Sequence, residues 1–287
     1  MSDRIEVRKT YKLYIGGAFP RSESGRVYEA SSTKGRFLAN MAKASRKDAR
    51  DAVLAARKGF QAWSSATPYN RGQVMYRIAE VMEGRSGQFA DELVAAGGVS
   101  AKQARREVEQ AVDRMVWYAG WADKLAQVVG TVNPVAGPYF NFSLPEPTGV
   151  VAAVAPSSPA LLGLVSTLAP IIVSGNAAVL IPSAAQPIPA ITLAEVLDSS
   201  DVPAGTVNIL TGDATEIMPW LASHGDVNAL DLAGIADADV ATGLQQEAAG
   251  TVKRVLRSHP SDAEPSPGLQ QMLAFLEIKT VWHPMGV

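Results

Sequence analysis

The side chains that could act as nucleophiles or metal ligands are few in this chain, and they stand far apart. No cysteine occurs among the 287 residues, so no thiolate nucleophile, thiolate metal site or disulfide can form. His224, His259 and His283 have no neighbours at metal-ligand spacing, which favours surface or core histidines over a metal centre. Ser157 and Ser158 lack the G-x-S-x-G pattern of an exposed nucleophile, so a loop is the better interpretation. The pattern predicts neither a catalytic residue nor a metal site.

Any site in this chain must be positioned by a central stretch in which short apolar runs alternate with helical patterns. The runs predict buried strands at residues 150–154, 177–181, 206–210 and 227–232. The helical patterns cover residues 160–173, 188–197, 216–222 and 238–249. This alternation predicts an α/β fold, a Rossmann-like open parallel sheet with helices on both faces. Such sheets bind ligands at the carboxyl ends of their strands, where Gly212 and Asp213 stand, but a turn alone explains that dipeptide.

The segments on either side of the sheet predict a helical layer, an arm and a tail. Helical stripes at residues 47–63, 71–96 and 101–129 follow a turn-rich segment at 11–45 and predict an N-terminal helical layer. The predicted organisation is one domain over residues 1–130 and 148–254, a β-arm at 131–147, a linker at 255–268 and a tail at 269–287. Within the tail, residues 275–283 alternate as a strand with one apolar face. Such a strand requires a sheet to join, in its own subunit or in another.

Composition and charge exclude several classes of protein. Hydrophobic residues make up 47% of the chain and charged residues 19%, which is typical of a globular protein. The net charge of −2 gives no reason to expect nucleic acid or an anionic membrane as a partner. The N-terminus has no apolar signal region, and the longest apolar stretch, broken at residues 156–159, falls short of the roughly 20 residues that span a bilayer. We therefore expect a cytoplasmic protein.

Several motifs give the chain a resemblance to a known family. They include Tyr14-Ile-Gly-Gly-Ala-Phe19, Glu146-Pro-Thr-Gly-Val-Val151 and Pro203-Ala-Gly-Thr-Val-Asn208. In family order over residues 11–254 the sequence resembles aldehyde dehydrogenases, and residues 275–282 resemble the extreme C-terminus of that family. The resemblance implies that a catalytic domain should begin near Val255. On the order of 200 residues, a domain's worth, is missing between the two matching parts.

The resemblance also implies which residues should carry the chemistry, and these positions differ here. The family uses a cysteine thiolate as nucleophile and a glutamate as base, and the chain has neither the cysteine nor the segment that carries the base. The asparagine that stabilises the oxyanion in the family is matched by Ser158, whose hydroxyl reaches less far than a carboxamide. The resemblance therefore predicts that the chain is catalytically inactive.

The positions that hold NAD(P) in the family differ as well. Ile181 and Ala184 stand where the family has the lysine and glutamate that bind the adenosine ribose. Ile235 replaces a serine in the phosphate-contacting segment, and Asp239 replaces a glycine, which places a carboxylate where a pyrophosphate would approach. We therefore expect NAD(P) binding to be weak or lost and the protein to carry no cofactor.

These expectations combine into a functional hypothesis. The chain is predicted to be a non-catalytic homologue that acts as a structural or regulatory subunit with a full-length aldehyde dehydrogenase, in a hetero-oligomer or, alternatively, a homo-oligomer. The resemblance implies that the arm at 131–147 and the tail at 269–287 together form the oligomerisation element. The predicted interface residues are Tyr139, Phe140, Phe142, Leu276, Ile278 and Trp282. Three alternatives stay open: a nucleotide- or metabolite-binding module, a scaffold for an aldehyde-producing enzyme, and a product without a role.

Overall fold

A computed structural model describes residues 8–257 and 267–286 of the chain. The helices are α1 (Arg46–Ser65), α2 (Pro68–Gly84), α3 (Ser86–Ala96), α4 (Ala101–Ala119), α5 (Leu125–Val129), α6 (Ala160–Val173), α7 (Ile188–Asp198), α8 (Ala214–Ser223), α9 (Ala238–Ala249) and α10 (Leu269–Leu273). The strands are β1 (Thr10–Tyr11), β2 (Val27–Ser31), β3 (Phe37–Ala42), β4 (Thr131–Asn133), β5 (Tyr139–Pro147), β6 (Val150–Val154), β7 (Ala177–Ile181), β8 (Val207–Ile209), β9 (Ala229–Asp231), β10 (Arg254–Leu256) and β11 (Leu276–Pro284).

The main sheet has five parallel strands in the order β10-β9-β6-β7-β8. Every residue of β6 and β7 is buried, which explains why these strands are continuous apolar runs. Alternate residues of β6 enter two different cores, with Val151 and Ala153 on one face and Val150, Ala152 and Val154 on the other. The predicted parallel sheet with helices on both faces is confirmed.

One edge strand of this sheet was not predicted. Residues 254–256 form β10 beside β9, so the predicted linker at 255–268 begins too early. The pattern hid this strand because it has only three residues, begins with Arg254 and is followed by Arg257. Residues 258–266 of the predicted linker lie outside the described residues.

The helices form one layer on each face of the sheet. Helices α1, α8 and α9 contribute to one core, and α2, α3, α4, α6 and α7 to the other. Two predicted helices are shorter than expected: the 71–96 pattern divides at Arg85, directly after Gly84, and the 101–129 helix ends before Gly120. Glycine weakens a helix at both points, because its backbone loses more conformational freedom than that of any other residue when it becomes helical. Within the described ranges, no helix combines the length and apolarity that crossing a membrane requires.

Two small sheets flank this body. Near the N-terminus, β1, β3 and β2 form a three-stranded sheet whose β2–β3 connection turns at Gly35, where φ is +76°. The arm sheet has the order β11-β5-β4 and is antiparallel throughout. In it, β11 pairs with β5 from Leu276 opposite Pro147 to Pro284 opposite Tyr139. The tail strand therefore joins a sheet of its own chain.

Candidate functional site

The candidate site is the crevice at the carboxyl edge of the main sheet. Because β6, β7 and β9 are parallel, the loops that follow them emerge at one edge. The chain runs from β6 outward through β7 to β8 and then crosses back to β9 on the other side of β6. The strand order reverses between β6 and β9, and this is where open α/β sheets place their ligands. The topology brings the predicted positions Ser158, Ala184 and Asp239 to this edge.

The loop after β6 leads directly into α6. Ser158 is exposed in this loop and precedes a cis bond to Pro159. At the start of α6, the backbone N–H groups of Leu161 and Leu162 donate hydrogen bonds to Oε1 of Glu107, at 2.8 and 3.3 Å. Glu107 is 8% exposed and comes from α4, so a buried carboxylate from another helix caps this N-terminus.

Sequence reasoning missed Glu107, although a signal for it was present. The buried stripe of α4 runs through Ala104, Val108 and Ala111, and residue 107 falls on the same stripe. A glutamate at an apolar position of a helix indicates a buried acceptor with a specific partner.

The loop after β7 separates the two predicted ribose positions. The side chain of Ile181 is fully buried in the core, whereas Ala184 is exposed. Between them, the hydroxyl of Ser183 accepts a hydrogen bond from the backbone N–H of Gln186 at 3.2 Å, which closes the turn. Ile181 therefore has a packing role in the described structure.

The loop after β9 lies against the end of β6. The N–H of Gly234 donates to the carbonyl of Val154 at 2.9 Å, and a Cβ at Gly234 would stand 2.3 Å from the carbonyl oxygen of Ala155. Only glycine fits this approach. Ile235 is half-buried and packs against the core on the α9 side of the sheet.

The N-terminus of α9 carries two carboxylates. Oδ1 of Asp237 accepts hydrogen bonds from the N–H groups of Asp239 and Val240 at 2.8 and 3.1 Å. Asp239 itself is exposed in the first turn. Acidic residues stabilise a helix at this end because they oppose the positive end of its dipole.

Asp231 is a buried carboxyl group at the crevice end of β9. It lies between Ala153 of β6 and Leu256 of β10 in the sheet register, and it is 4% exposed. Its Oδ1 accepts a hydrogen bond from the N–H of Ala233 at 3.0 Å. Burial raises the pKa of Asp231 to about 7, and this hydrogen bond acts in the opposite direction. The sequence signal, an aspartate inside an apolar strand, was present but was not interpreted.

The isolated polar residues of the sequence have structural roles where they are described. Asp213 caps α8 by accepting from the N–H of Thr215 at 2.8 Å, and Gly212 has a φ of +144°. His224 accepts a backbone hydrogen bond from Asp226 at 3.1 Å, and His283 is exposed on β11, while His259 lies outside the described residues. Over residues 8–257 and 267–286, no group of three or more potential metal ligands occurs.

The arm sheet carries the predicted interface residues. Tyr139, Phe140, Ile278 and Trp282 are exposed, and Phe142 is half-buried. The rings of Tyr139 and Trp282 meet edge to face with centroids 5.8 Å apart, and those of Phe140 and Phe142 are 5.4 Å apart. Leu276 was predicted to face a partner, and this is wrong, because it is 5% exposed in the core of its own chain.

Sequence reasoning also missed a polar cluster on the arm. Nδ2 of Asn133 donates to Oδ1 of Asn141 at 2.6 Å and to the hydroxyl of Ser143 at 2.9 Å. The hydroxyls of Ser143 and Thr280 are 2.8 Å apart. Partly buried hydrogen bonds thus connect β4, β5 and β11, and they fix the register of the three strands.

The fold and its crevice define a Rossmann-like α/β protein, with a parallel sheet flanked by helices. The model of the aldehyde dehydrogenase family matches residues 19–259, and the chain belongs to this family. The DhaS protein of Bacillus subtilis is 32% identical over 261 residues, which cover 89% of this chain and 52% of DhaS. The D-glyceraldehyde dehydrogenase (NADP(+)) of Thermoplasma acidophilum is 31% identical over 85% of this chain and 49% of that protein. The chain spans about half the length of these relatives.

Solved structures share the same fold. PnpE in complex with nicotinamide adenine dinucleotide superposes with a TM-score of 0.81 at 25% identity, over 86% of this chain and 50% of PnpE. The NAD+ complex of an aldehyde dehydrogenase from Bacillus cereus gives a TM-score of 0.80 at 23% identity, over 87% of this chain and 50% of that one.

These complexes correct one prediction. The expectation that NAD(P) binding is weak or lost, with no cofactor, is wrong, because the fold of this chain is that of proteins solved with NAD+ bound. The substitutions at Ile181, Ala184, Ile235 and Asp239 had been interpreted one side chain at a time. The crevice itself is made by the backbone topology, which these substitutions leave intact.

Proposed function

We propose that the chain is a non-catalytic member of the aldehyde dehydrogenase family that assembles, through its arm sheet, with a catalytically complete subunit of the same family. The absence of cysteine supports the non-catalytic part, because the family's nucleophile is a thiolate. Its role in the assembly would be structural or regulatory.

The observation that carries this proposal is the exposed apolar surface of the arm. Ile278 and Trp282 are 54% and 58% exposed on a strand that the chain otherwise holds firmly against β5. Burying one large apolar side chain stabilises a complex by about 1.5–3 kcal/mol. Two such residues on the same face of the sheet as Tyr139 provide the centre of an interface, because aromatic side chains dominate binding energies.

The test is co-expression with a full-length aldehyde dehydrogenase subunit of the same organism, followed by affinity purification and size exclusion. We expect Ile278→Asp to abolish co-elution, because a carboxylate would be buried without a partner. Leu54→Asp is the matched control, since Leu54 is 56% exposed on α1, away from the arm. Equal co-elution of the two variants would refute the arm as the interface.

A second candidate function is dinucleotide binding in the crevice, favoured by the NAD+ complexes of proteins with this fold. The loops after β6, β7 and β9 would hold the dinucleotide, and the close approach at Gly234 leaves the mouth of the crevice clear of a side chain. When bound, NAD(P) supplies a hydride acceptor. Calorimetry of the purified chain with NAD+ and NADP+ tests this function, and the absence of binding at millimolar ligand would remove it.

A further inference from the structure

A cavity of about 370 Å³ lies between α1 and the end of α8. It is lined by Arg46, Ala49 and Arg50 of α1, by Trp220, Leu221 and Ser223 of α8, and by His224, which follows α8. The spacing i, i+3 and i+4 places the three α1 residues on one face of their helix. The volume falls in the range of roughly 300–1,000 Å³ that small-molecule sites have. None of the lining residues belongs to the arm sheet or to the loops of the crevice.

The base of the cavity is apolar. Ala49 and Leu221 are buried, and the indole of Trp220 is exposed at one wall. The short side chain of Ala49 leaves space between the two helices, which a longer side chain at this position of α1 would fill. A molecule with a hydrocarbon part therefore gains from leaving water for this surface.

Arg46 is held in position over Trp220. The Cζ atom of its guanidinium lies 3.7 Å from the centroid of the indole ring, so the cation stacks on the face of the ring. The N–H groups lie in the plane of the guanidinium, which leaves them available for an acceptor. Within the described ranges, the side chain of Arg46 has neither a carboxylate partner nor a hydrogen-bond acceptor. Such a positioned guanidinium matches a planar oxyanion, which accepts two parallel hydrogen bonds from it.

The acidic groups beside the cavity already have cationic partners. Nε of Arg50 donates to Oδ1 of Asp51 at 2.9 Å. Oε1 of Glu216 lies 2.6 Å from Nζ of Lys43. The charge of Arg46 is therefore the one at this cavity that these carboxylates do not compensate, and the local field favours a ligand with one negative charge.

His224 adds a second donor to the cavity. Its Nδ1 accepts a hydrogen bond from the N–H of Asp226 at 3.1 Å, so the hydrogen of the neutral ring is on Nε2. The carboxylate of Asp226 lies 3.5 Å from Nε of Arg57. The hydroxyl of Ser223 donates to the carbonyl of Pro219 at 2.9 Å and is not a donor for a ligand.

We propose that this cavity binds a small organic carboxylate. The guanidinium of Arg46 and the imidazole of His224 would hold the carboxylate, and the apolar part would pack against the base of the cavity. A phosphate carries a charge of about −1.5 to −2 at pH 7 and would need a second uncompensated cation. Arg50 does not supply it, because it already has a carboxylate partner.

Calorimetric titration of the chain with benzoate tests the proposal, and benzamide is the uncharged ligand of matching shape. We expect benzoate to bind and benzamide not to bind. Arg46→Ala should weaken benzoate binding by about tenfold or more, because the charge-assisted hydrogen bonds are lost. Arg46→Lys should also weaken it, since an ammonium keeps the charge but not the two parallel donors. The matched control is the exposed Arg105→Ala on α4, at the other face of the sheet, which should leave the affinity unchanged.

Three results would overturn the proposal. They are the absence of benzoate binding at millimolar concentration, equal affinities of benzoate and benzamide, and equal affinities of the parent chain and Arg46→Ala. Displacement of benzoate by an equal concentration of inorganic phosphate would also overturn it, because the cavity would then recognise charge alone. The outcome is separate from that of the proposed function, since assembly through the arm does not involve α1 or α8.

Discussion

Replacing the buried carboxyl of Asp231 with an amide should remove most of the pH dependence of stability that this residue causes. Its pKa is raised by burial from an ordinary 3.8 to about 7 in the folded chain. Between these two values the folded chain binds a proton that the unfolded chain has released. Stability from this residue is therefore fully present below about pH 4 and is lost as the pH rises to about 7.

The size of the effect follows from the same pKa shift. One pKa unit corresponds to about 1.4 kcal/mol. Between the two pKa values, ionisation of Asp231 therefore lowers the free energy of unfolding by up to about 4 kcal/mol. The amide introduced by Asp231→Asn would keep an acceptor for the N–H of Ala233, but its buried Nδ2 would add a donor that costs about 1–3 kcal/mol where it finds no partner. We therefore expect this variant to be less stable than the parent chain at pH 4 and about 1–3 kcal/mol more stable at pH 8.

Urea unfolding at several values between pH 4 and pH 8, followed by circular dichroism, measures this difference. The exposed Asp91→Asn on α3 is the matched control, since it makes the same chemical change outside the sheet. If the free energies of unfolding of Asp231→Asn and the parent chain differ by a constant amount over this range, Asp231 is ionised in the folded chain and the reasoning is refuted.

Two further predictions concern catalysis and the α6 cap. The purified chain should oxidise no aldehyde with NAD+ or NADP+, because it contains no thiol nucleophile; cofactor-dependent turnover in a spectrophotometric assay above a heat-inactivated sample would contradict this. Glu107→Ala should lower the free energy of unfolding, measured with urea, by about 1–3 kcal/mol, because two buried N–H groups of α6 lose their acceptor. The matched control is Glu109→Ala at an exposed position of the same helix, which should change this free energy little.

The sequence predicted the main sheet well because local and tertiary signals agree there. In β6 and β7 every residue is buried, so each strand is an uninterrupted apolar run, and a helical pattern follows each of them. The edge strand β10 has no comparable apolar run, because none of its three residues is fully buried. Its three residues are held by pairing with β9, and an interaction between distant segments leaves no periodic signal in so short a stretch.

The candidate site was harder to predict because its polar residues act through partners that are distant in the sequence. Glu107 caps a helix that begins 53 residues further along the chain, and its hydrogen bonds span sequence separations of 54 and 55. Asp231 looked like one more residue of a strand, and only its position between β6 and β10 gives it a perturbed pKa. The types of both residues were visible, whereas their environments depend on the assembled sheet.

The docking of the tail shows how the two matching parts of the chain are held together. Arg254 at the edge of the main sheet binds Glu277 of the arm, and the carbonyl of Phe275 accepts hydrogen bonds from Nδ2 of Asn176 and the N–H of Thr148. Burial of Met272, Phe275 and Leu276 in the core adds apolar contacts on the same side. These contacts explain why the alternation predicted a strand but not its partner. The first residues of the tail pack against the core of their own chain, whereas most side chains of β11 beyond Leu276 are exposed.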